Sequence, residues 1–148
     1  MTESINEVMQ RNLQQLKKEM AAYANEKDLW LMAGKIPNSA GNLCLHLCGN
    51  LQHYIGAVLG DSGYVRQRDA EFSTKNVPVH ELQLLIDTTM EVVSKTLGNL
   101  PAESLAKNYP EQIFSTPMTT EYFLIHLASH LGYHLGQINY HRRLLAVT

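Results

Sequence analysis

Apolar side chains return every three to four residues in four stretches of the chain, and strict two-residue alternation is sustained nowhere. That period is the mark of amphipathic helices and argues against a sheet. The first stretch, about 4–27, places Ile5, Val8, Met9, Leu13, Leu16, Met20 and Tyr23 on one face, with Arg11, Lys17, Lys18 and Glu19 mostly off it. The second, about 39–59, follows a break at Gly34 and Pro37 and carries Leu47, Leu51, Tyr54 and Val58. The third, about 79–98, carries Leu82, Leu85, Ile86, Thr89, Val93 and Leu97. Pro78 lies at its start, where a missing N–H is tolerated, and Gly98-Asn99 with Pro101 ends it. The fourth begins near Thr116-Pro117 or Thr119 and reaches about Ala146, with Leu124, Leu127, Leu131, His134, Ile138, His141 and Leu145 in its stripe. Helices of about 20–28 residues, about 30–40 Å long, predict an all-α fold, a four-helix bundle forming one domain over 1–148.

Two long connections join these helices. Residues 60–77 hold Asp61, Ser62, Gly63 and a charged patch of Arg66, Arg68, Asp69 and Glu71, which reads as a solvated loop network or as a seat for an anionic group. About 18 residues can extend roughly 60 Å, enough to return along the bundle and leave the second and third helices parallel. Residues 99–116, with Pro101 and Pro110, are as long. Length alone does not say which connection crosses over.

Composition narrows the class. The chain has 148 residues, 45% hydrophobic and 18% charged, against a usual charged share of about 25%. A disordered tail and a coiled-coil rod are excluded. A net charge of -2 offers no electrostatic footprint for nucleic acid. The uncharged runs 39–60 and 122–141 are long enough to span a bilayer. The first, however, holds Asn42, His46, Asn50, Gln52 and His53, and the second holds His126, Ser129, His130, His134, Gln137, Asn139 and His141. That density of polar groups would be very costly in lipid, so both runs predict helices buried in a soluble protein. The N-terminus lacks the basic and apolar regions of a signal peptide, and Cys44 and Cys48 make no disulfide framework; a cytoplasmic location is expected. The two cysteines point about 160° away from His46 and read as core packing.

Six of the seven histidines lie in the two uncharged helices; His80, in the first turn of the third helix, reads as solvated. His130 and His134, four apart, sit about 40° apart on one helix face, the spacing that offers two imidazoles to one metal. Leu131 follows His130 where a zincin motif has glutamate. His126 and His141 extend the series, and His46 and His53, seven apart, share a face within about 20°. Were the second and fourth helices to face each other, His46 or His53 would supply a third imidazole. Three histidines leave a position open for water or substrate, which marks a catalytic centre, and neutral imidazole suits Zn, Ni, Cu or Fe. The second helix has no acid and the fourth only Glu121, so the Glu-x-x-His pairs of di-iron bundles are absent. The plainer reading is a set of hydrogen-bonded core histidines, but six buried neutral rings would each need two partners. The helical glycines Gly49, Gly56, Gly132 and Gly136 suggest close helix approach.

His46-Leu47 and the run His130-x-x-x-His134-x-Gly136-Gln137-Ile138 resemble the DinB/YfiT-like superfamily of metal-dependent enzymes, over essentially the whole chain. Leu45-His-Leu-Cys-Gly-Asn50, followed by Arg68-Asp-Ala-Glu-Phe72, is similar to an uncharacterised branch of it. The resemblance implies a bundle whose crossover joins helices two and three, frequent homodimers, and a metal triad of His46, His130 and His134, with His46 chosen over His53. His53 is then a candidate acid/base group and His126 a candidate support behind the ligands. Relatives include transferases and isomerases that use low-molecular-weight thiols, and proposed hydrolases. The expectation is an enzyme with a divalent ion, Zn first and Ni or Fe as alternatives, activating a small thiol or water toward a small-molecule substrate. No nucleic-acid or membrane partner is expected. The competing expectation is a non-catalytic bundle whose metal or histidines are only structural. Trp30, in Leu29-Trp-Leu-Met32, reads either as an interface residue or as a cap on the core.

Overall fold

The computed structural model describes residues 1–146, and its regular elements are helical apart from one isolated antiparallel bridge between Asn108 and Thr119. Helix α1 (Thr2–Ala21) stops short of its predicted end. A 3-10 turn over Glu26–Trp30 takes over, its first N–H groups capped by the Asn25 side chain, which accepts from the Lys27 N–H. Helix α2 (Ala40–Leu51) starts at Ser39, whose hydroxyl accepts from the Asn42 N–H at 3.2 Å. It runs on through a π-helical turn, Gln52–Ala57, into a last turn, α3 (Val58–Gly60). Helix α4 (Arg68–Ser73) interrupts the connection read from sequence as loop. Helix α5 covers Val79–Asn99, and α6 covers Thr120–Leu145 with Thr119 as its cap.

Contact order gives the helix directions. Along α1 and α5, Asn6 meets Ser94, Gln10 meets Met90 and Lys17 meets Asp87, so these helices are antiparallel. Tyr54 packs on Phe123 while His46 packs on His130 and His134, so α2 and α6 are antiparallel too. Between the α2–α3 stretch and α5 the numbers rise together: Gln52 bonds Thr89, and a Cβ at Gly56 or Gly60 would strike Val92 or Thr96. These helices run parallel, so residues 61–78 travel back along the molecule. On the way α4 is tied to α2, because the Asn42 amide donates to the carbonyls of Glu71 (2.9 Å) and Thr74 (2.8 Å).

The predicted stripes form the core. Met9, Leu13, Leu16, Met20, Leu47, Leu51, Leu82, Ile86, Val93, Leu124, Leu127, Leu131 and Ile138 are buried, while Val8 lies outside with its side chain exposed. Each such side chain contributes about 1.5–3 kcal/mol on burial. The Trp30 ring lies flush on Gly41, where any Cβ would overlap it, so it caps the core beside the start of α2. Cys44 and Cys48 are free and buried, and the hydrogen bond between them, then burial, raises the Cys44 thiol well above its ordinary pKa.

Candidate metal centre

Helices α2 and α6 bring three imidazoles together. His46, His130 and His134 each offer a ring nitrogen, and these nitrogens lie within 4.8 Å of one another. The rings meet edge to face, with centroids 4.5 Å apart for His130 and His134, 5.1 Å for His46 and His130, and 5.4 Å for His46 and His134. The Nε2 atoms of His46 and His130 are 3.3 Å apart. Two nitrogens bound at about 2.0–2.1 Å to one tetrahedral zinc would stand roughly 3.3–3.4 Å apart. The residues present therefore fit a divalent ion.

The proton positions agree. His46 Nδ1 lies 3.1 Å from Glu71 Oε1, so its N–H donates to the carboxylate and Nε2 keeps its lone pair. His134 Nδ1 donates to Gln137 Oε1 at 2.7 Å, which again leaves Nε2 free. Gln137 is held in turn, its amide donating to the Tyr133 oxygen at 3.2 Å. Among the described residues, the buried side-chain polar atoms with no protein partner are His130 Nδ1 and Asn50 Oδ1, the latter one turn beyond His46. Unpaired buried polar atoms are rare in folded proteins.

Glu71 is the residue the sequence reading misplaced. The patch at 66–71 reads from sequence as a solvated network or a seat for an anionic group, yet Glu71 is only 6% exposed and Arg66 is turned onto it. Arg66 grips it with two parallel bonds, Nε to Oε2 and Nη2 to Oε1, both 2.9 Å. Arg66 Nη2 also passes 3.4 Å from His46 Nδ1, where two donors share the one acceptor, Glu71. Gly49 makes room for the carboxylate: a Cβ there would overlap Glu71 Oε2. Phe72 covers the outer side of the His46 ring at 5.0 Å. Arg68 and Asp69 are exposed, as expected. No period in the sequence points from His46 to a carboxylate 25 positions away on a crossing segment.

The other histidines are accounted for separately. His53 turns to Glu111, 3.2 Å from Nε2, and to the Tyr54 ring, so its recorded contacts lie apart from the triad. His126 stacks between Phe123 and His130, at 5.8 and 6.3 Å, with Phe114 on its edge. His141 is satisfied on both sides, its Nε2 donating to Leu31 O at 2.9 Å and its Nδ1 accepting from the Tyr23 hydroxyl at 2.6 Å. His80 is exposed.

Electrostatics keep the cluster ready for a cation. Burial first, then the neighbouring imidazoles of His134 and His46, pull His130 down to about 4. Burial also lowers His134, against the opposing hydrogen bond to Gln137. Burial alone would raise Glu71, but the His46 hydrogen bond and the Arg66 fork outweigh it and hold the carboxyl below its ordinary range. Neutral rings at His130 and His134 and an ionised Glu71 are the protonation states that metal coordination requires.

Fold and site together describe a helical protein with a candidate three-histidine metal centre. The chain belongs to the family described as "Protein of unknown function (DUF1572)", whose model matches residues 2–147. No curated protein matches it. No helix among the described residues is long and apolar enough to cross a membrane.

Proposed function

We propose that this chain is a metal-dependent enzyme of the DinB/YfiT-like kind, a four-helix bundle with its crossover at 61–78. In it His46, His130 and His134 hold a divalent ion, zinc first, with nickel or iron as alternatives. The observation that carries this reading is the pairing of convergence with tautomer: two of three clustered imidazoles have their protons fixed on Nδ1 by acceptors behind them. Histidines that only fill a core have no need to bring three rings together with the Nε2 atoms of His46 and His130 facing each other.

A divalent ion there would lower the pKa of a coordinated thiol or water and so supply a nucleophile near neutral pH. The chain's own groups do the rest. Glu71 accepts from His46 Nδ1 and keeps that ring electron-rich and fixed in rotation, while Arg66 prevents the carboxylate from swinging away. Gln137 holds the His134 ring in the same manner. Phe72 and Phe123 exclude water from the flanks of His46 and His126. His126, stacked on His130, supports the ligand; His53, paired with Glu111, is a proton acceptor only for a substrate that reaches that side. The substrate is a small molecule, with a low-molecular-weight thiol as the favoured co-substrate. A reducing, cytoplasmic setting accords with two free buried cysteines. Homodimerisation rests on the resemblance alone and is measured by sedimentation.

The test is elemental analysis of tag-free protein purified without a nickel column, followed by turnover screens. Several thiols with electrophiles are tried first, then esters and amides. We expect about one equivalent of metal per chain and turnover that vanishes on chelation and returns with metal. Turnover that survives intact in metal-stripped protein overturns the reading. Metal without turnover leaves the structural alternative standing.

A further inference from the structure

A cavity of about 430 Å³ opens between the segment leading into α2 and the C-terminal half of α6. That volume is within the ordinary range for small-molecule sites, about 300–1,000 Å³. Ile36, Leu43, Tyr133 and Tyr140 form much of its wall, and His134 and Gln137 line it as well, so one flank belongs to the candidate metal centre. Among the described residues, no Asp, Glu, Lys or Arg lines it. Lys35, Arg142 and Arg143 are the nearest charges along the chain; Arg142 is paired with Glu19, and the Arg143 guanidinium lies over the Tyr140 ring at 5.7 Å.

The polar groups on this wall are mostly committed. His141 spends both nitrogens on Tyr23 and Leu31. Gln137 bridges His134 and Tyr133. Because Gln137 donates to the Tyr133 oxygen, the exposed phenol keeps its own O–H for a guest. In the metal-free protein an ionised guest would exchange water for a wall without a charged lining side chain, which is unfavourable; an apolar one gains on leaving water.

We infer that this cavity is the substrate site of the centre and takes an uncharged, mostly apolar small molecule, with one acceptor held by the Tyr133 hydroxyl and its reacting end beside His134. The assignment of a reacting end rests on the proposed metal function. The preference for neutral guests does not.

The experiment titrates the full chain at pH 7 with neutral 2-naphthol and anionic 2-naphthoate, metal-free for the comparison of affinities and loaded with Co(II) or Zn(II) for the relaxation measurement. Binding is read by saturation-transfer NMR and by proton relaxation. Naphthol is expected to bind at least about tenfold more tightly than naphthoate. Its protons should relax faster in the cobalt protein than in the zinc protein, which places it beside the metal. Ala33→Trp, an exposed lining residue, should weaken naphthol about tenfold with metal content and melting temperature unchanged. Leu144→Asp, also exposed, should weaken naphthoate more than naphthol. Equal affinity for the two probes, or unchanged binding in both variants, overturns the inference. So does self-association that Leu144→Asp abolishes, since a second copy would then be the occupant. If cobalt does not bind, the metal reading has failed, and the naphthol preference with its loss in Ala33→Trp still decides the cavity.

Discussion

Two seams of this molecule contain the same parts. Where α1 meets α6, Glu19 is buried against Arg142 and Asn139, at 2.6 and 2.7 Å, and Tyr23 meets His141. Where α2, α4 and α6 meet, Glu71 is buried against Arg66, and His46 meets His130 and His134. Each seam has a buried carboxylate, an arginine and histidine. In the first, both nitrogens of the one histidine end on protein partners. In the second, the Nε2 atoms of His46 and His130 face each other and His130 Nδ1 has no protein partner. A buried ion pair therefore does not by itself mark a site. The difference is whether the histidines of the seam are finished by the protein or left for a ligand.

The sharpest way to break this comparison is to delete one histidine from each seam. His134→Ala should lower metal affinity by more than about 100-fold, beyond the effect expected for a supporting residue, and leave no stoichiometric metal. His141→Ala should lower the melting temperature and leave metal content untouched. Equal loss of metal in both variants would erase the distinction.

Deleting the carboxylates should separate the seams again. Glu19→Ala leaves the Arg142 guanidinium without its partner and should lower stability by about 3 kcal/mol in urea titrations, with metal affinity unaltered. Glu71→Gln keeps the shape but loses the charge behind His46, and should weaken metal binding about 10–100-fold in competition with a chelator. Gly49→Ala should do the same, because its Cβ displaces the Glu71 carboxylate. Unchanged affinity in both would reduce Glu71 to a brace for α4.

The smallest effect is in pH. In the metal-free protein His130 sits near 4, against 6.5 for an ordinary imidazole. Between those values the unfolded chain binds a proton that the folded chain refuses, so stability should fall as pH drops from about 6.5 toward about 4. The depressed carboxyls of Glu19 and Glu71 act lower: their contribution is present above 4.5 and lost as pH falls through their folded-state values. Denaturant melts at pH 7, 6 and 5 should show the upper slope in wild type and a flatter one in His130→Ala apoprotein.

Much of the helical frame was legible beforehand, and particular residues show why. The stripe Leu124, Leu127, Leu131, Ile138 is buried as its spacing predicts, and His130 and His134 share a face because four residues make about one turn. Thr119 and Ser39 mark their helix starts through a local side-chain bond. His53 shows the limit of such reasoning. Its spacing from His46 placed both on one face, but the π-helical turn begins at Gln52 and the His53 side chain goes to Glu111.

Periodicity and caps act over one or two turns, so the chain alone determined its long helices, the histidine pair on α6 and an uncharged second helix carrying further imidazoles; that the two face each other is seen only in the packed structure. The path of residues 61–78 was decided only in three dimensions. It sets Glu71 behind His46, closes Arg66 around it, uses the bare backbone of Gly49, and has no local period that could announce it. The cavity beside His134 is likewise a gap between distant segments, formed by how they pack and invisible to any single stretch of residues.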